Sequence, residues 1–190
     1  MLTKRLFLIG AFVCFILEAC DASGSNTTLV DEINNFDAIQ SFSEITEDPY
    51  MLRVGSVKEE YKVGEEVELF GELHYLGNKV IKLMSGDSVI QFHIEENTRN
   101  VQVVNIVRNI AVYRDLKKNR PIRESYQKEL IHIEGVDEDY NRFMEEFMNE
   151  KGFPPGYYIV KGVAEFVVIL DEESEIVRLE TEIDFKVVPD

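Results

Sequence analysis

The chain has 190 residues, with 36 acidic side chains against 20 basic ones and a formal charge of −16. Such a balance repels phosphate, and with no basic stripe interleaved with aromatics it argues against nucleic-acid binding. The two cysteines are Cys14 and Cys20, so the chain beyond residue 20 contains no disulfide, thiol nucleophile, redox pair or cysteine zinc site.

Residues 1–19 read as a signal peptide. Lys4 and Arg5 give a positive start, Leu6 to Leu17 form an uninterrupted apolar run, and polar Asp21 to Ser25 follow. Twelve residues of helix rise about 18 Å, well short of the ~30 Å hydrocarbon core, so the run is too short for a permanent transmembrane span.

The junction Leu17-Glu18-Ala19-Cys20 resembles a bacterial lipoprotein signal. An apolar residue stands three positions before the cysteine, and a small residue directly precedes it. Glu18 departs from the pattern, which usually has a small or uncharged residue there. The resemblance implies that Cys20 carries a diacylglyceryl thioether, that the chain is cut before it, and that the new amino terminus receives an acyl group such as palmitate. Two buried chains hold stably where one does not, at about 0.8 kcal/mol per CH₂. The expected location is then the extracytoplasmic face of the cell membrane. The alternative is cleavage by ordinary signal peptidase, giving a secreted protein. Loss of the leader removes Lys4, Arg5 and Glu18, which takes the formal charge to −17.

Residues 20–49 hold the attachment site and, by their Ser, Asn, Asp and Thr content, a flexible tether. Within it Leu29, Ile33, Phe36, Ile39 and Phe42 recur at steps of three and four, so a weak amphipathic helix is an equal alternative.

The globular domain is expected over 50–190, where the apolar period changes to two. Val67, Leu69, Gly71, Leu73 and Tyr75 form one face, and Ile90, Phe92 and Ile94 another. Tyr158 to Leu170 and Val177 to Val187 carry two longer ones. This is the pattern of half-buried antiparallel strands. Val63-Gly64-Glu65, Leu76-Gly77-Asn78, Ser85-Gly86-Asp87 and Asp171 to Ser174 have turn chemistry. Between Val101 and Arg123 the pattern is least regular. The Lys117 to Arg120 cluster there is the one concentrated basic patch, read as a solvated loop or as a dock for an anionic polymer or lipid head group.

Residues 137–150 break the alternation. Tyr140, Phe143, Met144, Phe147 and Met148 make a helical stripe. Asp137 can cap its start, and Lys151-Gly152 with Pro154-Pro155-Gly156 ends it. The fold class is therefore mostly β, an antiparallel β-sandwich with one inserted amphipathic helix.

Tyr61-Lys62-Val63-Gly64-Glu65 before a buried strand, and Pro155-Gly156-Tyr157-Tyr158 before an alternating one, resemble the strand entries of an immunoglobulin-like sandwich. The chain is similar to uncharacterised lipoproteins of Gram-positive bacteria, and more distantly to the intracellular proteinase inhibitor family. These likenesses imply an immunoglobulin-like fold in which a tyrosine pins a corner. They transfer no inhibitory residue.

No catalytic signature accompanies the fold pattern. His74, His93 and His132 lack metal-ligand spacing, and there is no Gly-x-Ser-x-Gly elbow. Asp137-x-Asp139-x-Asn141 begins like a calcium loop but has Arg142 and Met148 where glycine and glutamate are required. The sequence thus reads as a non-enzymatic, lipid-anchored binding module with a membrane anchor and a protein partner, and without a cofactor or metal. The alternatives are a proteinase inhibitor-like domain or a secreted enzyme of unrecognised type.

Overall fold

The computed structural model describes residues 24–38, 40–103, 108, 110–129, 137–149, 151–170 and 173–189. Two β-sheets pack face to face. The smaller contains β1 (Phe42–Glu47), β2 (Tyr50–Ser56), β4 (Leu69–Tyr75) and β9 (Ile122–Ser125), in the order β1-β2-β4-β9. The larger runs β3 (Glu60–Lys62), β11 (Ser174–Val188), β10 (Gly156–Ile169), β5 (Ile81–Ser85), β8 (Val112–Leu116). On the same side of β10 as β5, β6 (Ile90–Glu96) pairs with its first half and carries β7 (Val101–Val103). The β3–β11 pairing is parallel, and every other strand pair is antiparallel.

The alternation in sequence becomes the alternation of faces. Leu52, Val54, Leu69 and Leu73 of the small sheet meet Ile90, Phe92, Val160, Phe166, Leu179 and Phe185 of the large one. Two glycines permit the close approach of the sheets. A Cβ on Gly162 would lie 2.3 Å from Val54 Cγ2, and one on Gly71 would lie 2.8 Å from Ile90 Cγ2.

Helix α2 (Glu138–Asn149) forms as its stripe requires. Asp137 Oδ1 accepts from Tyr140 N at 2.7 Å, which satisfies one of the free amides of the first turn. Phe143, Met144 and Phe147 are buried against the sandwich. At the other end the Lys128 ammonium donates to the Phe147 and Gly152 carbonyls, so a cation meets the negative end of the helix.

The tether expectation is corrected. Residues 42–47 are not a spacer: β1 pairs with β2 over six residues, from Phe42↔Gly55 to Glu47↔Tyr50. Before it, α1 (Gly24–Asn34) buries Ile33, Phe36 stacks on Tyr157 at 4.4 Å, and Gln40 N donates to Asp184 Oδ1. The helical alternative therefore holds for the part of the stripe that carries Leu29 and Ile33. Phe42 belongs to a strand, and Ile39 lies outside the described residues. The folded unit starts well before residue 50.

The 117–121 stretch is a turn. Arg120 N donates to Lys117 O at 3.2 Å, and Asn119 takes φ 60°, a conformation that asparagine tolerates. The turn carries the chain from the edge of the large sheet to the edge of the small one.

The entry to β10 is pinned by a tyrosine. Tyr158 is fully buried, and its hydroxyl donates to Pro154 O at 2.7 Å. Tyr158→Phe keeps the ring and orphans that carbonyl. It is expected to cost about 1–3 kcal/mol in urea unfolding with an unchanged m-value.

Burial also protects phenols from ionising. Desolvation, helped by Glu175 and Tyr75, pushes Tyr50 up to about 12, and burial drives Tyr126, Tyr157 and Tyr158 upward as well. The folded state thus favours the protonated phenols. Their contribution to stability is complete below the unfolded value of about 10 and is lost as pH rises toward and through the folded values. Unfolding free energy should therefore be lower at about pH 11.5 than at about pH 9, with a ring-ionisation absorbance that appears on unfolding.

Candidate functional site

The outer faces of the two sheets differ in chemistry. On the small sheet, register places Glu44, Arg53, Glu72 and Arg123 side by side across β1, β2, β4 and β9. Arg53 Nε meets Glu44 Oε2 at 3.0 Å, and Arg123 meets Glu72 Oε1 at 3.0 Å. Opposite charges directly across strands stabilise pairing, so this face closes its own charge ladder. Next to it the Phe70 ring lies over Gly55, with the Arg123 guanidinium 4.6 Å from the ring centre.

The large sheet has an apolar row instead. Ile176 pairs with Val167, Val167 with Met84, and Met84 with Tyr113, so four apolar side chains adjoin across β11, β10, β5 and β8. They occupy the outward phase of their strands. Ile176 is 74% exposed and Tyr113 64%, and Ile110 beside them is 57% exposed. Charge rims the row on both sides. Arg178 bridges Glu165 at 2.6 Å and Glu180 at 3.2 Å, while Lys82 faces Asp115, which holds Lys117 at 3.1 Å. An exposed apolar patch within a polar rim is the chemistry of a contact surface.

A second feature is a cleft of about 230 Å³ between β6 and the end of β9, with Ser88, Phe92, Arg108, Tyr126 and Glu129 among its lining residues. Burial raises the Tyr126 phenol, which keeps it a neutral donor. The Ser88 hydroxyl is already engaged by Glu124 and by Ile90 O. Glu124 also accepts from Val89 N and Ile90 N at 3.0 Å each and so ties one sheet edge to the other. Among the described residues the cleft offers hydrogen bonds and an aromatic wall but no activated nucleophile.

His74 and His93 do not converge. His74 lies on the outer face of the small sheet, 3.0 Å from Glu72, and His93 lies on the outer face of the large sheet. His132 lies outside the described residues, as does Cys20. Among the described residues no three His, Cys, Asp or Glu side chains gather as metal ligands, and no helix is long and apolar enough to cross a membrane. Glu96 is completely buried. It accepts from Thr98 N, Thr98 Oγ1, Arg99 N and Arg99 Nη1, and so builds the β6–β7 turn. The role is structural.

Sequence reasoning assigned the inward phase of β10 and β11 and passed over the apolar row. Val167 and Ile176 occupy the phase that carries Glu165 and Arg178, and an apolar residue on the polar phase was the available signal.

No protein-family model matches the chain, and no curated protein matches it. A solved structure described as a protein from Archaeoglobus fulgidus is similar at 12% identity and a TM-score of 0.32, over 77% of this chain and 95% of that one. A likeness of that size carries no argument about function.

The row should be dispensable for folding. Ile176→Thr is expected to change unfolding free energy by less than about 0.5 kcal/mol, as exposed substitutions do. Val177→Thr, one residue on and 7% exposed, should cost about 1–3 kcal/mol by burying a hydroxyl. Paired urea titrations compare the two.

Proposed function

We propose that this protein is a lipid-anchored, extracytoplasmic binding module that recognises a protein partner and performs no catalysis. The observation that carries the anchor is the Leu17-Glu18-Ala19-Cys20 junction at the end of a short apolar run. Net charge makes the lipid the sensible attachment, because a chain of −16 is repelled by an anionic membrane surface.

The outer face of the large sheet supports the binding half of the reading. Its apolar row lies on the outward phase of four hydrogen-bonded strands, with Ile176 and Tyr113 largely exposed. The separation of His74 and His93 on different sheets favours binding over hydrolysis. The same reading takes the sandwich as immunoglobulin-like. Support comes from the hydroxyl of Tyr158, which reaches back four residues to Pro154 at the start of a late strand, the geometry of a tyrosine corner.

Cys20→Ala tests the anchor. Wild-type protein should partition with membranes and incorporate labelled fatty acid. The variant should lose the label and move to the soluble extracytoplasmic fraction. Unchanged membrane partitioning of Cys20→Ala would overturn the reading.

A further inference from the structure

We propose that two copies of this chain pair antiparallel through β8, in the register that sets Tyr113 opposite Tyr113 of the second copy. The proposal deepens the binding reading by naming the partner of the large sheet. It does not depend on the anchor, since fractionation of Cys20→Ala reports on one and the experiment below on the other.

The first support is the condition of the sheet edges. An unpaired edge is a template for a further strand, and folded proteins guard against this. β3 and β7 have only three residues each. β9 has four and follows Pro121, while β1 presents Glu44 and Glu47. β8 is five residues long, Val-Tyr-Arg-Asp-Leu, without proline or glycine, and among the described residues it pairs with β5 alone. Its two charged side chains are both engaged within the chain. The Arg114 guanidinium donates to Ser85 Oγ, Gly86 O and Asp87 O, and Asp115 holds Lys117 at 3.1 Å.

The second support is the register. In an antiparallel pair, directly opposed residues share a face, so only registers that match outward with outward positions keep both cores closed. With Tyr113 on the two-fold axis, Val112 faces Arg114 and Ala111 faces Asp115 of the other copy, and no like charges oppose. Shifting the axis one residue toward Leu116 puts Arg114 opposite itself, and shifting it two puts Asp115 opposite itself, both unfavourable, while shifting it the other way, onto Val112, leaves only that residue of β8 paired within the strand. The favoured register also continues the apolar row. Ile176, Val167, Met84 and Tyr113 of one copy meet the same four of the other, giving one unbroken row across eight strands. A two-fold interface brings the same patch from each copy, as observed in most homodimers.

Disulfide trapping tests both the contact and the register. In the full chain with Cys14 and Cys20 replaced by serine, Tyr113→Cys supplies the only thiol. On the axis its two Cα atoms would be about 4.5–5.5 Å apart, within disulfide range. Asp115→Cys in the same background places its two thiols four residue steps apart, about 13 Å, which is out of range. Under mild oxidation Tyr113→Cys should give at least about tenfold more covalent dimer than Asp115→Cys. The parent chain should sediment as a concentration-dependent dimer that added salt strengthens, because both copies are acidic. Tyr113→Lys should sediment as a monomer with the unfolding midpoint of the parent chain diluted to its monomeric range, as the side chain is exposed within one copy. Equal trapping at the two positions, a parent that stays monomeric, or a dimer that survives Tyr113→Lys would each overturn the proposal.

Discussion

The ring of Phe153 is the contact on which most of this structure depends. It is 1% exposed and lies 4.6 Å from Phe147, 5.2 Å from Tyr158, 5.7 Å from Phe185 and 6.0 Å from Tyr126, centre to centre. Those four rings belong to α2, β10, β11 and the segment leaving β9. Edge-on aromatic contacts contribute about 0.5–1.5 kcal/mol each beyond the area they bury, and their geometry fixes orientation as well as distance. One side chain in an irregular stretch thereby sets the positions of the helix and of the two longest strands. Its neighbours reinforce it. A Cβ on Gly152 would lie 2.1 Å from Glu65 O, so only glycine lets the chain pass there, and Tyr158 closes the corner on Pro154. Lys128 lies 4.4 Å from the Phe147 ring and 5.2 Å from Phe153 while donating to the carbonyls at the helix end. The helix is thus secured by a hub of rings and one cation rather than by its own short length, which would be marginal in isolation.

With that hub in place, the two outer faces are free to diverge. On the small sheet, charges alternate across four strands and satisfy one another, which leaves little for a partner to recognise. On the large sheet the charges stand beside the apolar row and leave it open. Removing an exposed row of this kind from water contributes about 25 cal/mol per Å², without the cost of breaking an existing ion pair. A row is also directional. It runs across the strands and ends at β8, so its natural continuation is another strand rather than a globular knob.

The sheets, the turns and α2 were legible because they obey periods of two and 3.6 with ordinary punctuation. The strand faces from Leu69 to Tyr75 and from Val177 to Val187 follow directly from alternation. Phe153 was not legible, since a single aromatic between Gly152 and Pro154 carries no period and its partners are distant in sequence. Glu96 was hidden in the same way: in a chain with 36 acidic residues, its burial under the Thr98 and Arg99 amides has no local mark. The first strand was missed for a different reason. Phe42-Ser-Glu-Ile-Thr-Glu is an edge strand whose inward phase carries Ser43, Ile45 and Glu47, of which only the first two are half-buried. Its attachment depends on the backbone ladder to β2 and on Ser43 Oγ meeting Thr181 Oγ1 at 2.6 Å across the sandwich. Composition alone reads such a segment as linker. The apolar row was legible in part, as a violation of the polar phase at Val167 and Ile176, but its coherence appears only when register aligns four strands.

The correction at the amino terminus changes how the proposed anchor would work. A long spacer would let the sandwich wander, whereas α1 begins at Gly24, four residues after Cys20, and that stretch reaches at most about 14 Å. Beyond α1 the chain is fastened by the Phe36–Tyr157 stack and by the Gln40–Asp184 hydrogen bonds at one end of the β10–β11 hairpin. The apolar row crosses the same hairpin at Val167 and Ile176. Ten residues separate Tyr157 from Val167 along β10, a rise of about 33 Å in extended chain. A lipid at Cys20 would therefore hold the sandwich by the end opposite its exposed row. The acidic surface would be repelled from anionic lipid while the row stood clear of it. Confining the anchored copies to a plane raises their effective concentration. A contact through β8 that already forms between two chains in solution is then strengthened by the geometry of the anchor.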